Sequence, residues 1–117
     1  MSSFYAGAAR RIVTPNPLLP VSSGADACRP AEKQLGELEL RVFAAASDET
    51  RVAVASVPFL GFPSRLCARV REKVAHIPPE NIIIGATHCH SAPDAYGFPN
   101  ADGEYDISFP YIYGVCD

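Results

Sequence analysis

Residues 82–94 read IIIGATHCHSAPD. Three β-branched apolar residues in a row, Ile82, Ile83 and Ile84, mark a strand buried on both faces. The run then passes through Gly85, Ala86 and Thr87 to His88, Cys89, His90 and Ser91. Side chains two apart on an extended chain point the same way. His88 and His90 are therefore expected on one face and Cys89 on the other. Two imidazoles on one face at the end of a buried strand suit a divalent metal. Neutral imidazole is a standard ligand of zinc, so Zn2+ is the first cofactor to consider. A His-x-His pair also fits two hydrogen-bonded polar residues at a strand end. The apolar strand before it, and Ser91, Pro93 and Asp94 after it, add weight to a metal or catalytic role.

The elements on the N-terminal side tell how that strand is placed. Pro63-Ser64 starts a helix, with Leu66, Cys67, Val70 and Val74 as its apolar stripe and Arg65, Arg69, Glu72 and Lys73 outside. Pro78-Pro79 stops it, because the residue before a proline avoids the α region. His76 falls in its last turn, where it suits the helix dipole as a surface residue. Before the helix, residues 38–45 alternate: Leu38, Leu40, Val42 and Ala44 on one face, Glu39 and Arg41 on the other. Ser47-Asp48-Glu49 is a turn. Residues 51–59 return as a strand that is apolar on both faces, hence central. The two strands form an antiparallel hairpin.

Strand, helix, strand over 51–87 is a βαβ unit. Its crossover is expected to be right-handed, which makes the strands at 51–59 and 82–87 parallel. The fold class is thus α/β: a mixed sheet in which an antiparallel hairpin leads into a right-handed βαβ unit. Ligands in such sheets gather beyond the carboxyl ends of parallel strands. His88 and His90 lie at such an end, and residues 58–63 should form the neighbouring wall.

The remaining segments are less regular. Residues 4–13 are an Ala-rich strand stopped by Thr14-Pro15. Residues 16–35, with Pro17, Pro20, Gly24 and Pro30, read as a long loop. After Asp94 the chain is rich in Gly, Pro, Asn and Asp but also in Tyr and Phe. That segment is either a loop packed on the core or an apolar wall for a lipid or aryl group, and packing is the commoner fate. Residues 111–117 look like the opening of a further element.

Composition narrows the function classes. A chain of 117 residues holds one domain at most. Thirteen acidic against ten basic residues give a net charge of −3, so no nucleic-acid partner is expected. The cluster Arg65, Arg69, Arg71 and Lys73 reads as a solvated helix face. Cys28, Cys67, Cys89 and Cys116 show no Cys-x-x-Cys spacing, which points to reduced thiols. No apolar run reaches the length of a membrane span, so no transmembrane segment is expected. The opening MSSFYAGAARR has no apolar stretch behind a positive one, so no signal peptide is expected and the cytoplasm is the default compartment.

The ATHCHSAPD segment resembles the ATHTHSGPD-type signature of the neutral/alkaline, non-lysosomal ceramidase family, in the N-terminal part of its catalytic domain. AGAARRIVTP at 6–15, GELELRVFAA at 36–45 and FLGFPSRLCARVREKV at 59–74 follow the same order. The resemblance implies a zinc-dependent hydrolase of N-acyl amide bonds, with a ceramide-like lipid amide as substrate. It implies that His88 is a metal ligand and that His90 is catalytic, lying beside the metal and assisting the substrate. Ser91 and Asp94 become candidates to orient those imidazoles, since ligating histidines donate their other N–H to an oxygen; turn formation is the alternative for both. The family is often secreted, unlike the default reading of this N-terminus. Two acidic positions of the family pattern are absent: Ile12 stands two before Thr14-Pro15, and Pro58-Phe59-Leu60-Gly61 replaces a D-L-L-G-like segment.

The family site also takes histidine, glutamate and tyrosine ligands from later sequence. Only 27 residues follow His90; none is histidine and the only glutamate is Glu104. The expectation is therefore an N-terminal fragment, 1–117, that lacks the C-terminal portion of its domain and carries only the first part of the site. A catalytically incompetent fragment or interaction module built on the same fold is the competing reading. The metallo-β-lactamase pattern fails because Ala92 and Pro93 stand where its Asp and His would be. An amidohydrolase barrel needs a far longer chain after its His-x-His.

Overall fold

The alternating run and the apolar run around Ser47 pair as a hairpin, and the rest of the sheet grows on either side of it. In this computed structural model, which describes residues 3–22, 28–97, 100–105 and 107–117, the strands are β1 (Tyr5–Ile12), β2 (Glu39–Ala46), β3 (Arg51–Val57) and β4 (Ile82–Ala86). The helices are α1 (Ser64–Lys73) and α2 (Phe109–Cys116). The strand order is β1-β2-β3-β4. β1 and β3 run antiparallel to β2, and β4 is parallel to β3 with Ala53 opposite Ile82 and Val57 opposite Ala86. The chain is thus a small α/β domain with a mixed four-stranded sheet. Among the described residues no helix is long and apolar enough to cross a membrane.

Helix α1 crosses from β3 to β4 and covers one face of the sheet. Leu66 and Val70 pack with Val57, Phe59 and Ile84 in the main core. Val74 packs with Ala53, Ile77 and Ile82 in a smaller cluster. The stripe read from the sequence therefore does face the sheet. The helix ends earlier than Pro78-Pro79 would set it, at Lys73, with Val74 already extended at φ −95°, ψ 96°. Burial explains this: Ile77 is 9% exposed, and reaching the sheet takes the chain out of the helix. His76 consequently lies in the connection rather than in the last helical turn. Arg71, counted in the solvated cluster, instead donates from its guanidinium to the Ile82 carbonyl and ties the helix to the start of β4.

Helix α2 is the element that residues 111–117 hinted at, beginning earlier. The Ser108 hydroxyl accepts the Tyr111 N–H at 3.4 Å, and Pro110 occupies the first turn, where its missing N–H is harmless. Ile112 is fully buried, and the Tyr111 hydroxyl donates to the Val13 carbonyl at 2.5 Å. Burial pushes the Tyr111 phenol well above its usual pKa. Two more members of the basic cluster turn out to dock α2. Lys73 sits 2.6 Å from the Asp117 carboxylate, and the Arg69 guanidinium lies 4.1 Å over the Tyr113 ring. The Lys73 hydrogen bond, aided by Arg69 and Arg11, holds the Asp117 carboxyl below its ordinary range. A depressed carboxyl stabilises above its unfolded pKa and ceases to as pH falls through its folded one, so this clamp loosens on acidification.

The opposite face of the sheet is bare, which corrects the expectation that the Ile82–Ile84 run and the 51–59 run are buried on both sides. Phe43, Val54 and Ile83 align across β2, β3 and β4 and are 50%, 45% and 62% exposed. Ile83 owes its exposure to alternation: Ile82 and Ile84 took the covered face, and no described element lies over the other. β1 is exposed along its whole length.

These contrasts give a stability test. Phe59 is fully buried, so Phe59→Ala should cost about 3–5 kcal/mol by urea denaturation. Ile83→Ser should fall within about 0.5 kcal/mol of the parent. A large loss at Ile83 would mean that the face is covered in solution.

Candidate metal site at the end of the fourth strand

The ladder between β3 and β4 closes with the Thr87 N–H on the Val57 carbonyl at 3.0 Å. The next two N–H groups, of His88 and Cys89, both point at one oxygen, the Phe59 carbonyl, at 3.0 and 3.1 Å. Two successive donors on one acceptor require a bend, and His88 takes it with φ +70°. This is the left-handed region, sparsely used by non-glycine residues although histidine enters it more readily than most. Strain of this kind gathers at functional sites. The extended geometry assumed for residues 88–90 is therefore wrong at His88, because satisfying both N–H groups on Phe59 outweighs continuing the strand.

The bend nevertheless brings the two histidines together. Their ring centroids are 4.7 Å apart and the rings are perpendicular. Both residues are exposed, while Cys89 is half-buried and packs against the main core. The division into two outward imidazoles and one inward thiol matches the sequence reading, with a bend as its cause in place of strand alternation. The neighbouring wall is where the βαβ unit puts it: the His88 Nδ1 lies 2.9 Å from the Leu60 carbonyl oxygen.

Ser91 and Asp94, the two residues offered for orienting the rings, sit in the turn that follows them. Ser91 is exposed in the turn after His90, and no hydrogen bond joins it to either imidazole among the described residues. Asp94 is 3% exposed, and its two oxygens accept the N–H groups of Tyr96 and Gly97, each at 2.8 Å. It holds the turn after the motif. From the other side, the Ser22 N–H donates to the Ala92 carbonyl at 2.8 Å, and Val21 bridges Pro93. The long loop thus braces the histidine turn, which proline spacing alone could not indicate. Ser22 is 1% exposed, and its hydroxyl has no partner among the described residues. Glu104 is not drawn to the histidines: its N–H closes a local turn on the Asn100 side chain at 3.0 Å.

Tyr96 is the residue that sequence reasoning passed over. It was one of several aromatics in a loop. In the fold its ring lies over Gly61, where a Cβ would come within 2.0 Å of the phenol oxygen. Gly61 directly follows Leu60, so the tyrosine packs against the same wall that holds His88. The only sequence signal was a glycine at the end of residues 58–61.

Exposed imidazoles are the side-chain type that ligates divalent cations, and two lie side by side here. A catalytic zinc usually takes three protein ligands and keeps one position open. Among the described residues, no group of three or more His, Cys, Asp or Glu side chains converges. No family model matches this sequence, and no curated protein matches it.

Two substitutions separate a structural role from a ligand role. Asp94→Ala should lower stability by about 1.5–3 kcal/mol, through two charge-assisted hydrogen bonds lost from a buried turn. His88→Gly should leave the melting temperature near that of the parent, because glycine adopts φ +70° freely, yet abolish binding of Zn2+. Calorimetry on each variant, with and without Zn2+, reads both effects.

Proposed function

We propose that this chain carries the first part of the site of a zinc-dependent hydrolase that cleaves N-acyl amides, with a ceramide-like lipid amide as substrate. One observation supports this most: the His-Cys-His-Ser-Ala-Pro-Asp segment sets two outward imidazoles beyond the carboxyl ends of two parallel strands, where α/β sheets bind ligands. The order of the other ceramidase-like segments agrees. Bound zinc would supply a polarised carbonyl and a water acidic enough to attack near neutral pH. His88 would hold the metal. His90, perpendicular to it and exposed, would lie beside the substrate and hold or pass a proton. The remaining protein ligands would come from outside the described residues.

The competing reading, an interaction module without catalysis, draws on the bare sheet face. That face carries a depression of ≈ 520 Å³ whose lining includes Ala8, Arg10, Arg41, Phe43 and Val54. None of its lining residues belongs to the histidine motif.

Zinc titration and hydrolysis of an N-acyl sphingoid amide by the purified 117-residue chain test the proposal. With His88 as the one assigned ligand and His90 at best a second, zinc should be weak and readily lost to a chelator, with no turnover and no zinc binding in His88→Ala. Tight stoichiometric zinc with turnover that His88→Ala abolishes would show the chain to be a complete enzyme. Equal zinc binding by the parent and His88→Ala would sink the metal reading.

A further inference from the structure

His88 is tethered and His90 is not. A carbonyl oxygen has no proton to give, so the 2.9 Å contact between His88 Nδ1 and the Leu60 oxygen is a hydrogen bond only when Nδ1 carries the hydrogen. In a neutral imidazole, Nε2 is then the bare nitrogen. Among the described residues, neither ring nitrogen of His90 has a hydrogen bond to the protein; its contact is with the His88 ring.

The Leu60 carbonyl is itself held from both sides. Phe59, just before it, is fully buried, 5.8 Å from the Phe62 ring and edge-on to Tyr111 at 6.3 Å. Its own carbonyl takes the N–H groups of His88 and Cys89. Gly61, just after, is buried under Tyr96: the ring fills the space that a side chain at Gly61 would need. Residues 59–61 therefore have little room to rotate, and the direction of the Leu60 carbonyl is set.

We infer that the Leu60 carbonyl fixes His88 as its Nδ1–H tautomer, with Gly61 and Tyr96 as the positioning residues, so that His88 presents Nε2 to a divalent cation. The use made of that nitrogen rests on the proposed function; the tautomer does not. The two histidines then differ in kind. One is a preset ligand whose partner N–H is anchored, the arrangement common among metal-bound histidines. The other is an untethered arm beside it.

Long-range nitrogen–proton correlation spectra of the histidine rings in the whole chain, at a pH where they are neutral, test this. In the metal-free protein His88 should show a protonated Nδ1 and a bare Nε2, and His90 an average of both tautomers. Added Zn2+ should move the His88 Nε2 signal and leave Nδ1–H in place. Gly61→Ala should mix the His88 tautomers and weaken Zn2+ binding by about tenfold, the lower end for loss of a partner behind a ligand. Tyr96→Ala, which removes the ring that packs on Gly61, should also mix the His88 tautomers. A protonated Nε2 at His88 in the metal-free parent, or Zn2+ displacing the Nδ1 proton, overturns the inference. An unchanged His88 spectrum in Gly61→Ala removes Gly61 and Tyr96 from the positioning role. The expected tautomer with no response to Zn2+ would defeat the metal reading and leave the tether standing. The parent spectrum decides the tautomer whether or not the Gly61→Ala chain folds.

Discussion

One carbonyl oxygen, that of Phe59, accepts the N–H groups of both His88 and Cys89. The histidine segment depends on that shared acceptor. It ends the parallel ladder, forces the left-handed turn at His88 and sends Cys89 inward. The oxygen is fixed because the Phe59 side chain is fully buried between β3, α1 and α2, with Phe62 and Tyr111 against it. A core aromatic thus positions a surface pair of imidazoles through two residues of backbone. Rigid support of this kind lets exposed side chains keep a defined geometry.

The same core ties distant parts of the chain to the site. Val13 follows β1, Ala92 and Ala95 follow the histidines, and Ile112 and Val115 belong to α2, yet all share the cluster with Phe59. The Lys73–Asp117 pair and the Arg69–Tyr113 contact seat α2 on α1 from the outside. Such exposed pairs contribute little by themselves, so the apolar contacts beneath them carry most of the docking.

The sheet has two unlike faces. One is covered in part by α1 and α2, which leave β1 exposed. The other presents Phe43, Val52, Val54 and Ile83 to solvent in an aligned patch. A contiguous apolar patch on a sheet marks a contact surface or an association liability. β1, exposed throughout at one edge of the sheet, adds an unpaired row of backbone groups. The patch and the histidine pair lie on different parts of the fold.

Much of the architecture follows from local pattern. Alternation in residues 38–45, the turn at Ser47, the helical stripe Leu66-Val70-Val74 and the isoleucine run each name an element, because side-chain period mirrors backbone period. The parallel pairing of β3 and β4 follows in turn from the crossover between them. Pattern also placed His88 and His90 together, but by a rule the chain does not obey: the strand stops at Ala86, and the two rings meet through a bend at His88. That bend comes from a carbonyl 29 residues earlier in sequence, the span from Phe59 to His88, and no local period records it. The same limit applies to Asp94, whose oxygens serve the backbone of Tyr96 and Gly97, and to the bracing of Ala92 by Ser22. The sequence by itself determined the four strands, the helix between the last two of them, and where the imidazoles cluster, while α2 showed only as an element of unstated type. Tertiary structure alone decided which face stays bare, which oxygens the N–H groups find, and which nitrogen of His88 is left to meet a ligand, because these depend on contacts between segments far apart in the chain.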